Sequence, residues 1–170
     1  MRKFGMAVLV LAFCASGWAQ GKGRNNSPGE VYIGYSLLDG DTLSKASGFE
    51  ASLMGNMNEW FGLKADFSGN YRSNGPNHAH EFNVLFGPQV SDHIDSLNLF
   101  VHGMLGIAHF GSDFGASDTS AGWVLGGGAD YDINRDFAVR FVQLDYHGAK
   151  IFNNTQKDLR FSAGVIFRFH

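Results

Sequence analysis

Between Arg160 and Phe169 the chain alternates without a break. Phe161, Ala163, Val165, Phe167 and Phe169 share one parity; Arg160, Ser162, Gly164, Ile166 and Arg168 share the other. A period of two puts successive side chains on opposite faces, so this stretch predicts a β-strand with one apolar face and one polar or small face. The same alternation recurs in seven earlier segments. The first spans about 30–38, with Val31, Ile33, Tyr35 and Leu37 against Tyr32, Gly34 and Ser36. The second spans about 48–57, and only Asn58 and Glu59 separate it from the third, where Phe61, Leu63, Ala65, Phe67 and Tyr71 face away from Gly62, Lys64, Asp66, Ser68 and Asn70. So short a link predicts a hairpin. The fourth (about 79–90) and fifth (about 97–110) are joined by a turn at 92–95.

Residues 111–120 read as a longer loop before strand six, where Trp123, Leu125, Ala129 and Tyr131 oppose Gly122, Gly126, Gly128 and Asp130. A tight turn at Asn134-Arg135 leads to strand seven (about 136–147). There Phe137, Val139 and Phe141 oppose Arg140, but beyond them Val142, Leu144 and Tyr146 oppose Gln143 and Asp145. One extra residue restores the pattern, which predicts a β-bulge near Phe141-Val142. A loop at 148–158 reaches the last strand. Eight strands with connections alternately short and longer predict an all-β fold: an eight-stranded antiparallel up-and-down transmembrane barrel. Strands of this length cross a bilayer when tilted, and the chain after residue 19 shows no helical periodicity.

Alternation alone does not say which face is outside, because a soluble barrel such as a lipocalin alternates too. Residue size discriminates. Eight strands leave an interior only wide enough to be filled by side chains. The polar face carries Gly34, Ser36, Ser52, Gly62, Ser68, Gly87, Gly106, Ala108, Gly122, Gly126, Gly128, Ser162 and Gly164, and the apolar face most of the Phe, Leu and Val. Small residues belong where space is short, so the polar face is inside. Glycine numbers 23, against about 12 from average usage, and a cramped interior accounts for the excess. With both termini periplasmic, Trp60, Phe61, Tyr131, Phe137 and Phe169 gather at the periplasmic rim, and Tyr71, Phe82, Trp123 and Tyr146 at the outer rim. Two aromatic girdles are what a membrane barrel requires.

The N-terminus reads as a secretory signal peptide over residues 1–19. Arg2 and Lys3 precede an apolar run from Phe4 to Phe13, and Gly17-Trp18-Ala19 offers a small-x-small cleavage site. Cleavage there removes Cys14, the single cysteine, so no disulfide or thiol chemistry is expected. It also takes the 13 basic residues to 11 against 16 acidic, a net charge of −5, which argues against nucleic acid as a partner. Residues 20–29 are expected to form a flexible lead-in, and 30–170 the barrel domain.

Ser162, Gly164, Phe167 and Phe169 stand at the spacing polar, any, Gly, two of any, aromatic, any, aromatic. That pattern resembles the C-terminal insertion signal of bacterial outer-membrane barrels. As a whole, the chain is similar to the small barrels of the outer membrane protein A and X type, without the peptidoglycan-binding domain that many outer membrane A proteins append. The resemblance implies passage of the inner membrane, escort by periplasmic chaperones, insertion by the barrel assembly machinery, and residence among outer-membrane lipid and lipopolysaccharide as a monomer.

The inward parity carries Glu50, Asp66, Glu81, Asp130 and Asp145 with Lys64, Arg140, Arg160 and Arg168, nearly balanced in sign. Charges enclosed together should pair, because an unpaired buried charge is expensive. The expectation is a polar plug; a narrow porin-like channel gated by these ion pairs is the alternative. His78 and His80 share a face but lack the further ligands that a metal site needs. His102 is expected inward as a hydrogen-bonded residue. His109 and Ser112 raise the remote possibility of a lipid A-modifying enzyme, although their spacing departs from the His-x-Ser arrangement of such enzymes. The sequence thus predicts no catalytic residues, no cofactor and no metal. The role it supports is structural, in envelope integrity or surface interaction, with a loop-borne adhesin as a further alternative.

Overall fold

The computed structural model describes residues 27–40, 46–74, 77–112, 117–151 and 154–169. Eight strands, β1 (Gly29–Gly40), β2 (Ala46–Asn56), β3 (Phe61–Asn74), β4 (Asn77–Ile94), β5 (Leu97–Ser112), β6 (Ser117–Asp132), β7 (Phe137–Ile151) and β8 (Asn154–Phe169), pair in sequence order into a closed barrel. Every pairing is antiparallel, and β8 closes the ring on β1 from Gly29 opposite Phe169 to Gly40 opposite Asp158. Closure leaves no sheet edge, so each strand spends its backbone hydrogen bonds on two neighbours.

The two faces are those of a soluble protein turned inside out. Phe67, Phe86, Leu105, Leu125 and Phe161 lie exposed on the exterior, while Arg160, Asp66 and Lys64 are at most 1% exposed. Water would not tolerate that exterior, whereas hydrocarbon favours it. The lipocalin arrangement, with apolar residues turned inward around a ligand, is not the one adopted.

The bulge lies where parity breaks. Asp130 pairs with Arg140 and Ala129 with Val142, so Phe141 is the added residue; on the other side Arg140 faces Gly164 and Gln143 faces Ser162. Without that insertion either Arg140 or Asp145 would point into lipid. Pro88, which has no N–H to donate, sits at the gap in β4–β5 pairing between Phe86–Leu105 and Gln89–His102.

Several connections differ from the expected ones. The turns after β2 and β6 occupy four residues each, 57–60 and 133–136, rather than two. Both use one device: the Asn58 side-chain oxygen accepts from the Trp60 and Phe61 amides at 3.0 and 2.7 Å, and that of Asn134 from Asp136 and Phe137 at 2.9 and 2.8 Å. The expected turn at 92–95 contracts to Asp95-Ser96, with Asp95 at φ 56°, a left-handed conformation that short hairpins need and Asp tolerates. The expected loops at 111–120 and 148–158 are largely strand. β5 and β6 run on to Ser112 and from Ser117, and β7 and β8 to Ile151 and from Asn154. Their polar composition imitates a loop, yet a paired backbone needs no apolar side chain once it leaves the bilayer. The expected loop at 72–77 is mostly strand for the same reason.

Residues 1–26, including the expected signal segment, fall outside the described residues. Of the expected lead-in, only residues 27–29 are described. Ser27 is buried, its hydroxyl donates to the Gly29 carbonyl at 2.7 Å or the Phe169 carbonyl at 2.9 Å, and its own carbonyl accepts from Asn56.

Close inward packing depends on missing side chains. A methyl at Gly106 would meet the Val84 carbonyl oxygen and come within 2.8 Å of Leu85 Cα, whereas one at Gly55 would meet nothing within 4 Å. Gly106→Ala is therefore expected to destabilise the barrel by about 1–3 kcal/mol, and Gly55→Ala by less than about 0.5 kcal/mol. Equilibrium urea unfolding in lipid vesicles checks this, and equal losses would count against the packing argument.

Candidate functional site

All nine charged side chains of the inward parity are buried, and their strands bring them together in layers along the lumen. Nearest the end that holds Gly29 and Phe169, Arg168 reaches Glu30 at 3.1 Å and Asp132 at 2.7 Å. A cavity of about 10 Å³ beside Glu30, Ser91, His93 and Asn98 has room for one water. Above it, Arg140 grips both oxygens of Asp130 at 2.7 and 3.0 Å, and Asn98 donates to the same carboxylate at 3.3 Å. The guanidinium of Arg140 lies between two rings, 4.5 Å from the centroid of Tyr32 and 4.0 Å from that of Phe100, a favourable cation–π geometry.

Gln143 links this layer to the next. It accepts from Arg140 at 2.7 Å and donates to Glu50 and Asp145 at 2.8 and 2.6 Å. Arg160 is the hub. It contacts Asp145 at 2.6 Å, Asp66 at 3.2 Å and Glu50 at 3.5 Å, and thereby ties β8 to β7, β3 and β2. Lys64 stands 3.6 Å from Glu50 and 3.7 Å from Asp66, and His102 lies 2.9 Å from Asp145. Beyond the hub, Asn83 donates to Glu81 at 2.9 Å and Ser36 to Asn70 at 2.8 Å, with His147 and Asp158 also buried. Leu38 and Ala46, with Phe110 packed against them, form an apolar cluster at the far end.

Two features depart from the sequence reading. The interior is not uniformly polar: Leu85, Met104 and Val124 form a buried apolar cluster on β4, β5 and β6. The signs are not near balance either, because Glu30 and Asp158 are buried too and Asp132 binds Arg168. Parity holds the signal for all three, since Glu30 shares the parity of Tyr32 and Gly34, Asp158 that of Arg160, and Asp132 follows Asp130 by two. Gln143 and Tyr32 were visible as inward residues but not as a bridge and a cation–π face.

On the exterior, Trp60, Phe61, Tyr131, Phe137 and Phe169 lie at the Gly29/Phe169 end, and Tyr71, Phe82, Trp123 and Tyr146 toward the other. Tyr71 meets Phe82 edge-on at 5.6 Å, and Trp123 meets Tyr146 at 5.6 Å. The Trp123 ring covers Gly148, where a side chain would collide with it. His80 joins this outer band beside Phe82; His78 lies outside the described side chains. Among the described residues no group of three or more His, Cys, Asp or Glu side chains is placed to hold a metal ion. His109 bonds Thr119 at 2.6 Å, and Ser112 too is outside the described side chains. Ser162, Gly164, Phe167 and Phe169 occupy β8, and Ser162 faces inward.

A hub shared by three acids cannot be removed cheaply, because it leaves charges enclosed without a partner. Arg160→Met is expected to lower unfolding free energy by about 3–5 kcal/mol, and Arg168→Met, whose partner Asp132 is part-exposed, by clearly less. Urea unfolding of both in vesicles checks the order, which a lesser loss in Arg160→Met would overturn.

A family model described as the outer membrane protein beta-barrel domain matches residues 5–169. Among solved structures, the attachment invasion locus protein Ail of Yersinia pestis is 20% identical, with 84% of this chain and 99% of that one covered at a TM-score of 0.59. Neisserial surface protein A is 16% identical over 84% and 98%, at 0.71. The N-terminal barrel domain of Pseudomonas aeruginosa OprF is 11% identical over 84% and 98%, at 0.53. No curated protein matches the chain. At these identities the solved structures speak for the fold, and the family match covers nearly the whole length. The chain belongs to the outer membrane protein beta-barrel domain family, as a bacterial outer-membrane protein.

Proposed function

We propose that this barrel serves the envelope as a sealed structural element without catalytic activity. The observation that carries the reading is the hub: Arg160 on β8 reaches acids on β2, β3 and β7, so its side chain and theirs occupy the cross-section. With only eight strands, little lumen remains for solute. Residues 1–19 act as the cleaved signal, and β8 with Ser162, Gly164, Phe167 and Phe169 as the segment read by the insertion machinery. Both termini then face the periplasm, and the polar strand ends beyond Tyr71, Phe82, Trp123 and Tyr146 face outward. Those ends form a paired rim, and any contact with lipopolysaccharide or another surface is made there.

Pure folded protein is expected to give no discrete conductance steps in planar lipid bilayers, and its overexpression to leave lipid A mass unchanged. Reproducible steps would replace this reading with the gated channel, and an altered lipid A mass with the enzyme. Orientation has its own check. A cysteine at Thr119 should react with a membrane-impermeant maleimide on intact cells and one at Ser96 should not; the opposite pattern would invert the barrel.

A further inference from the structure

The cavity at the Gly29/Phe169 end is lined at its base by Glu30, Ser91, His93 and Asn98, and at its margin by the exposed turn carrying Asn58, Glu59 and Trp60. Strand register orients the base. Asn98 on β5 pairs with Asp130 on β6 and with His93 on β4. Its amide nitrogen donates to Asp130 at 3.3 Å. A carboxylate only accepts, so that contact fixes the nitrogen of the side-chain amide toward β6. The carbonyl oxygen, Oδ1, then faces β4, where Ser91 and His93 line the cavity. Asn98 is 3% exposed, and its Oδ1 has no hydrogen-bond partner among the described residues.

Charge at this mouth is negative. Arg168 is shared by Glu30 and Asp132, Arg140 is taken by Asp130, and Glu59 adds a carboxylate at the margin. On the remaining turn residues Asp92, Asp95 and Asp136 outnumber Arg135. A water molecule would supply a donor to Asn98 but no charge. A metal ion needs several ligands converging on it, and among the described residues no group of acids and histidines is placed to hold one. An ammonium group supplies N–H donors and positive charge together, in about the volume of one water. The rings of Trp60 and Phe61, 5.7 Å apart, also line the cavity, and aromatic faces attract such a cation.

We propose that this mouth is a binding site for a primary ammonium group, with Asn98 Oδ1 as its buried acceptor and Glu30 and Glu59 as its counter-charges. The carbon chain of the amine leaves past Asn58 and Trp60. A fully methylated ammonium has no N–H to donate and is too large for the cavity. Two sources carry the right group: the ethanolamine head of a phospholipid, which Trp60 in the aromatic band brings within reach, and a soluble amine. The site does not depend on whether the lumen above it is sealed.

The experiment is a titration of the folded protein in phosphocholine micelles with ethylammonium chloride, repeated with tetramethylammonium chloride. Nuclear magnetic resonance follows the side-chain amide of Asn98 and the backbone amides of Ser91 and His93. A saturable shift is expected with ethylammonium and none with tetramethylammonium. Asn98→Leu, followed at Ser91 and His93, should lose the response. Glu59→Gln, a change at an exposed turn, should weaken binding about two- to fivefold. No saturable shift, an equal response to tetramethylammonium, a folded Asn98→Leu that still responds, or an affinity unchanged by Glu59→Gln would each overturn the proposal. If Asn98→Leu does not fold, Glu59→Gln and the methylated control decide. The same shift in nanodiscs of ethanolamine phospholipid without added amine assigns the group to the lipid; a shift that needs the soluble amine assigns it to a soluble ligand.

Discussion

A guanidinium cannot be left bare in hydrocarbon, and that prohibition governs the placement of Arg160. Its strand must expose Phe161, Ala163 and Val165 to lipid, so Arg160 points to the centre, where it costs several kcal/mol unless neighbours supply charge and acceptors. Asp145, Asp66 and Glu50 supply them at 2.6–3.5 Å from three other strands. One side chain thereby fixes four strands of the eight. A one-residue slip of β8 would turn Arg160 and Arg168 into lipid and leave the acids they bind unpaired inside, so register and electrostatics are a single constraint.

The rest of the barrel accommodates that constraint. Glycines on β6 clear space for it: a methyl at Gly126 would strike the Asp145 carboxylate and lie 2.7 Å from the Leu144 carbonyl oxygen. The Phe141 bulge lets β7 place both Arg140 and Asp145 inward, although the two stand at opposite parity in the chain. Gln143 carries hydrogen bonds from the Arg140 layer to the Arg160 layer, and the apolar cluster of Leu85, Met104 and Val124 fills the volume that the charges do not use.

How much could be read from the chain depended on how local each determinant was. Facing is set residue by residue with period two, so the eight strands, their inward charges, the bulge and the aromatic bands all left marks in sequence. Strand ends did not, because Ser117 to Ser120 and Asn154 to Lys157 pair through backbone while their side chains look like loop. The two four-residue turns were legible as Asn-containing turns, but their length depends on where ladder pairing stops. Pairing across the lumen was illegible for a different reason. Which strands confront one another inside depends on tilt and stagger around the whole ring, so nothing near Arg160 in sequence indicates Asp66 or Glu50. Buried apolar residues such as Met104 and Val124 were obscured too, since their nearest neighbours of the same parity, His102 and Gly106 or Gly122 and Gly126, are polar or small.

The central claim is that lipid bathes the apolar face and that the charged face is closed to both lipid and water. Spin labels placed singly along β5 from residue 99 to 107 in a bilayer test it most directly, through collision with oxygen in the lipid and with a water-soluble relaxant. The account predicts that labels at Leu99, Val101, Gly103, Leu105 and Ile107 collide with oxygen, while those at Phe100, His102 and Met104 collide with neither. A relaxation profile without period two, or one with water reaching the even positions throughout, would contradict it.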